Sequence, residues 1–152
     1  MFARALREKT GLPLYYLDAI WHKSDRTTVS EQEFDEKLGE ILREDCWILD
    51  GNYLRTLPRR LQACDTVFLL DYPVEICLSG AASRIGQPRE DLPWVETEFD
   101  AEFRRWIEEF PRAQLPQVYA LLERYGKGKT LVIFKDRKDA AAYLAAFSRQ
   151  KT

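Results

Sequence analysis

Short apolar runs alternate with stretches of helical spacing from one end of this chain to the other. Phe2, Ala3 and Leu6 form a helical stripe, closed by Gly11 as a C-terminal stop with Pro13 beyond it. Residues 14–17 are an apolar run that ends at Asp18 and predicts a buried strand. Ser30 and Glu33 make a capping box, after which Phe34, Leu38, Ile41 and Leu42 recur at helical spacing. Residues 46–49 and 66–70 are the second and third strand-like runs. Pro73 stands at a favoured first-turn position and opens a helix to about Ser83. Residues 85–93 are polar and carry Gly86, Pro88 and Pro93, which predicts a mobile loop. Phe99, Phe103, Trp106, Ile107 and Phe110 share one helical face, with Pro111 ending that helix. Residues 115–125 predict a further helix with Leu115, Val118, Leu121, Leu122 and Tyr125 inward. Residues 130–134 read as the last strand and 139–148 as the last helix. Strands alternating with helices imply a parallel sheet with helices on both faces, in a single α/β domain over residues 1–152.

Composition narrows the partners. With 45% hydrophobic and 12% aromatic residues, the chain is a folded globule of single-domain length. Its 23 basic and 25 acidic residues leave a net charge of -2, so no basic field points to nucleic acid. Cys46, Cys64 and Cys77 make no C-x-x-C pair and His22 is the only histidine, which disfavours a structural zinc site. Reduced thiols of a cytoplasmic protein are expected instead. No apolar run reaches the ~20 residues of a membrane span, and 1–9 lack the apolar core of a secretion signal.

Ligands of open parallel sheets bind at the carboxyl ends of the strands. Each predicted strand ends at or near an acid: Asp18, Asp50, Asp71 and Asp136. Such an acid can cap a helix or work on a ligand, and both roles stay open for Asp18, which heads LDAIWHK. Trp21 and His22 follow it and serve either as packing or as the lining of an acceptor pocket. Arginines gather after the other strands: Arg55, Arg59 and Arg60 after Asp50, Arg84 and Arg89 around the 84–95 loop, and Arg104 and Arg105 in the next helix. Guanidinium groups donate paired hydrogen bonds to phosphate oxygens, or simply solvate a surface face. The stretch GKGKT (126–130) imitates the end of a phosphate loop. It stands between a helix and a strand without the leading glycine, so it reads as a turn.

The layout of residues 46–73 is strand, acidic turn, short arginine-bearing helix, strand, Asp, Pro. With its turn DGNYLRT it resembles the core of adenylate-kinase-like P-loop kinases. Residues 83–111, SRIGQPREDLPWVETEFDAEFRRWIEEFP, resemble the group named DNA topology modulation proteins. The resemblance extends from Phe2 onward. It implies a three-layer P-loop kinase-like sheet and phosphoryl transfer from ATP with Mg to a small acceptor. A nucleoside monophosphate is the first expectation from the DG…R turn, and a hydroxylated metabolite the second from Asp18. It further implies catalytic roles for Asp18, Arg84 and Arg89, with acceptor binding by Asp50, Gly51, Arg55, Arg59 and Arg104. The 84–95 segment becomes a short lid.

Three departures qualify the match. Arg55 is displaced by one residue from the family's D-G-F-P-R-T turn, and Gly80 stands where an arginine is expected. More consequentially, the first, central strand and its G-x-x-x-x-G-K-[S/T] loop are not in the sequence. Three accounts compete: a misassigned start or fragmentary gene, which Met1 in mid-helix favours; a non-catalytic nucleotide-binding or protein-interaction relative; or a strand donated by a partner chain. Each predicts little or no phosphotransfer by the chain as it stands. Strand edges exposed beside the missing strand would favour oligomers.

Overall fold

The computed structural model describes residues 1–147, which group into two compact units. Of the described residues, the first comprises 1–52, 89–94 and 138–147, and the second 53–88 and 95–137.

The first unit opens with helix α1, Phe2–Thr10, ended by Gly11 at φ 75°, whose N–H donates to the Arg7 carbonyl. Pro13 then sets where the first strand begins. It has no N–H, and its carbonyl accepts from Ile48 N at 2.8 Å. β1, Leu14–Tyr16, therefore pairs in parallel with β2, Ile48–Asp50, in the register Leu14↔Ile48 and Tyr16↔Asp50. Both predicted strands shift accordingly. Leu17, expected to end β1, instead starts the short helix α2, Leu17–Trp21, and is fully buried there. An apolar run does not distinguish the last residue of a strand from the first of a helix. Cys46 and Trp47 lie before the ladder, and Asp50 lies in it.

A hairpin bridge joins His22 to Thr28. Ser30 makes its half of the predicted capping box: its Oγ accepts from Glu33 N at 3.1 Å and starts α3, Glu31–Leu42. Phe34, Leu38 and Ile41 are buried on its inner face, and Trp21 meets Phe34 edge-on at 5.7 Å. Burying each such side chain contributes about 1.5–3 kcal/mol.

In the second unit, a 3₁₀ turn, Leu54–Thr56, leads into α4, Leu57–Ala63. β3, Thr66–Leu70, pairs in parallel with β4, Thr130–Phe134, and both match their predicted limits. Between them lie α5, Val74–Ser83, α6, Ala101–Ala113, and α7, Leu115–Tyr125. Leu61 of α4 with Val118 and Leu122 of α7 forms the buried centre, flanked by Val67 and Leu69 of β3 and by Phe110. Pro73 caps α5 from outside its first turn.

Pro111 does not end α6, contrary to expectation, because it falls where only one intrahelical donor is lost. The helix runs on to Ala113, and Gln114 N still donates to the Phe110 carbonyl. The aromatic face of α6 is not uniformly inward either: Ile107 is buried, whereas Phe103 and Trp106 are exposed and stacked on one another. α8, Arg137–Ala146, starts earlier than predicted, and the expected end at Ser148 lies outside the described residues.

The fold is thus α/β with parallel strand pairing, but the four strands among the described residues form two two-stranded sheets rather than one. β2 and β3, neighbours in chain order, are not paired. Among the described residues no helix is long and apolar enough to cross a membrane.

Candidate functional site

Two of the predicted acids share one end of one sheet. The parallel register sets Tyr16 beside Asp50 at the carboxyl ends of β1 and β2. Asp18 follows two residues after Tyr16, in the first turn of α2, where a carboxylate faces unsatisfied helix N–H groups. Asp50 is exposed and Asp18 half-buried. Gly51 continues from Asp50 at φ 151°, where a Cβ would stand 2.7 Å from the Cβ of Leu17. Glycine is needed here because the backbone of the turn passes directly over a core side chain.

The 89–94 segment forms a strap on this unit. Glu90 receives both terminal nitrogens of Arg7, at 3.1 and 3.3 Å, and the hydroxyl of Tyr16 at 3.0 Å. Hydrogen bonds from Arg7 and Tyr16 hold the Glu90 carboxylate below its ordinary range. Burial, seconded by the bond to Glu90, pushes the Tyr16 phenol up to about 12. Arg89 clasps Asp91 with Nε and a terminal nitrogen, Nε to Oδ1 at 2.9 Å. At the far end, Trp94 meets the edge of His22 at 5.3 Å and carries the Arg26 guanidinium 5.7 Å from its ring centre. Arg26 adopts φ 67°, in the left-handed region. The residues expected to act as a lid are thus divided: Arg89 belongs to the first unit, whereas Arg84 follows α5 in the second.

The second unit holds the remaining arginines. Arg60 is buried and donates to the Tyr53 carbonyl at 2.9 Å and to Thr56 Oγ1 at 3.2 Å, so it braces the turn. Burial pushes its guanidinium down to about 10. Arg55 and Arg59 stay exposed. Arg55 lines a shallow concavity of about 460 Å³ with Leu54, Pro58, Gln117, Ala120 and Leu121. Arg84 Nε is buried, and Arg104 pairs with Glu108 along α6 at 3.2 Å.

At the carboxyl ends of β3 and β4 the Asp71 carboxylate accepts from Tyr119 at 2.6 Å and from Lys135. Burial opposes ionisation of Asp71, but these two donors outweigh it and hold the carboxyl low. The same contact raises the Lys135 ammonium.

Lys129 of the GKGKT turn donates to the Cys64 carbonyl at 2.6 Å, and so serves the C-terminal end of α4. Among the described residues no group of three or more His, Cys, Asp or Glu side chains is placed to hold a metal ion. Sequence reasoning located Asp18, Asp50 and Gly51 at one strand end, but missed the partners Arg7, Tyr16, Glu90 and Trp94. The Tyr16–Glu90 pair spans 74 residues and Arg7–Glu90 spans 83, with no local signal for either.

No protein-family model, no curated protein and no solved structure matches the chain.

Proposed function

We propose that the chain is a relative of the adenylate-kinase-like P-loop kinases, bearing the acceptor side of an ATP-dependent small-molecule kinase. Its acceptor is a nucleotide or a hydroxylated metabolite. The observation that carries this reading is the convergence of Asp18, Asp50 and Gly51 at the carboxyl end of the β1–β2 pair. A carboxylate there suits orientation of an acceptor hydroxyl or acceptance of its proton. On this reading the parallel pairing within each unit is that of a P-loop kinase-like fold. The resemblance directs Arg89 of the first unit toward phosphates and, separately, Arg55, Arg59, Arg84 and Arg104 of the second. No step is assigned to ATP or Mg, since the phosphate-loop residues are not in this sequence.

The test is a binding screen of nucleoside monophosphates and hydroxylated metabolites against the chain and its Asp18→Asn variant. The expected result is one acceptor class bound by the natural chain and weakened about tenfold or more by D18N, with stability lowered by no more than about 0.3–1 kcal/mol, the worth of a lost helix-end charge. Equal binding by both proteins would remove Asp18 from the acceptor site. A second reading, a non-catalytic interaction protein, draws on the exposed Phe103–Trp106 stack of α6. Loss of a partner on Trp106→Ala, with no acceptor bound, would favour it.

A further inference from the structure

In the first unit three arginines gather on two adjacent carboxylates. Arg7 meets Glu90 fork to fork, and Arg89 meets Asp91 in the same way. Arg4 lies close enough to influence both Glu90 and the Tyr16 phenol. Paired N–H donors on paired oxygens are the geometry guanidinium offers to phosphate. Here two such forks are filled by consecutive residues of one strap, with a phenol as a further donor.

We infer that Arg4, Arg7, Arg89 and Tyr16 form a binding site for a phosphate-chain anion, and that Glu90 and Asp91 are its internal occupants. This rests on the kinase reading for the class of ligand, and it adds residues and a closing device that the reading does not contain. A chain of two or more phosphates presents successive oxygen pairs and can meet two forks, as the two side chains do. A single carboxylate ligand engages only one.

Charge permits the exchange: Glu8 also acts on Arg7, so three guanidinium groups stand among three carboxylates, and release of Glu90 and Asp91 leaves the site positive. Tyr16, its phenol pushed up to about 12, keeps its proton at neutral pH and remains a donor to either occupant. The two latches differ in strength. Arg7 and Glu90 are 37% and 44% exposed, so their pair is readily screened and released. Arg89 and Asp91 are 14% and 21% exposed and form the tighter hold. A site that must first expel its own occupant binds more weakly, by the fraction of time it stands open.

The experiment is calorimetric titration of the whole chain with inorganic pyrophosphate, beside hydrogen exchange of the 89–94 amides. Glu90→Gln with Asp91→Asn should tighten binding by about tenfold or more. Adding Arg7→Gln to that pair should cancel the gain. Glu98→Gln with Glu102→Gln changes net charge equally on exposed residues elsewhere and should leave binding unchanged. Saturating the natural chain should speed exchange across 89–94 as the strap is displaced. Several results would overturn the site: no pyrophosphate binding by any variant, an equal gain in the control, or affinity that stays level or falls in the Gln/Asn variant. Exchange in 89–94 that does not quicken would overturn the internal occupant. The acceptor screen with D18N is untouched by these outcomes, so the two readings fail separately.

Discussion

Gly51 lies against Leu17 so closely that a Cβ at position 51 would approach the Leu17 Cβ to 2.7 Å and its Cδ1 to 2.9 Å. Leu17 has no exposed surface and cannot retreat. Gly51→Ala should therefore destabilise the protein by about 2–4 kcal/mol, combining backbone strain with overpacking. Gly86, at φ 76° with nothing within 4 Å of where a Cβ would stand, is the control. Its replacement by Ala should cost only about 1–2 kcal/mol. Denaturant melts of the two variants give the comparison, and equal losses would show that Leu17 yields.

Asp71, Tyr119 and Lys135 predict an acid-sensitive clasp. The folded carboxyl of Asp71 titrates below its unfolded value. Its stabilisation is therefore complete above the ordinary carboxylate range and is lost as pH falls through the folded value. Tyr119→Phe should cost about 1–2 kcal/mol at pH 7 and progressively less in acid. Unfolding free energies measured at several pH values for both proteins check the convergence. Parallel curves would assign the acid loss to other groups.

Arg60 predicts a non-conservative Arg-to-Lys change. Its guanidinium reaches the Tyr53 carbonyl with a terminal nitrogen and Thr56 Oγ1 with Nε, from a buried position. An ammonium has no rigid fork to span both acceptors and is costlier to dehydrate. Arg60→Lys should lose roughly 1–3 kcal/mol, read as a lower melting midpoint. Retained stability would show that the turn holds itself.

Lys129 tests the imitation phosphate loop. The chain mixed with ATP and Mg should give no phosphotransfer above background, and Lys129→Ala should leave that unchanged. The variant should lose about 0.5–1 kcal/mol instead, through the Cys64 carbonyl at the end of α4. Transfer that disappears with Lys129 would make the turn a working phosphate site.

Local rules made much of the fold legible. Gly11 ended α1, Ser30 with Glu33 started α3, and β3 and β4 fell on their apolar runs, because each signal lies within a few residues of its effect. Leu17 and Pro111 were misread, since burial and a single missing donor act in ways a pattern does not show. The division into two sheets was not legible from alternation alone, which gives strand count and direction but not pairing. At the candidate site, the positions of Asp18, Asp50 and Gly51 at or just beyond the strand ends were legible. The strap's grip on Arg7 and Tyr16 was not, because its partners meet only after distant segments come together.

The parallel pairing of β3 with β4 has a consequence for synthesis. Asp71 and Lys135, at matching ends of the two strands, stand 64 residues apart in the chain. A ribosome working from the N-terminus therefore releases β3, with the apolar Val67 and Leu69, long before β4 exists to complete its ladder. During that interval the nascent chain carries an unmatched strand whose backbone invites the wrong neighbour. Protection of that strand as it emerges, by chaperones or by the early docking of α4, becomes part of how this protein reaches its fold.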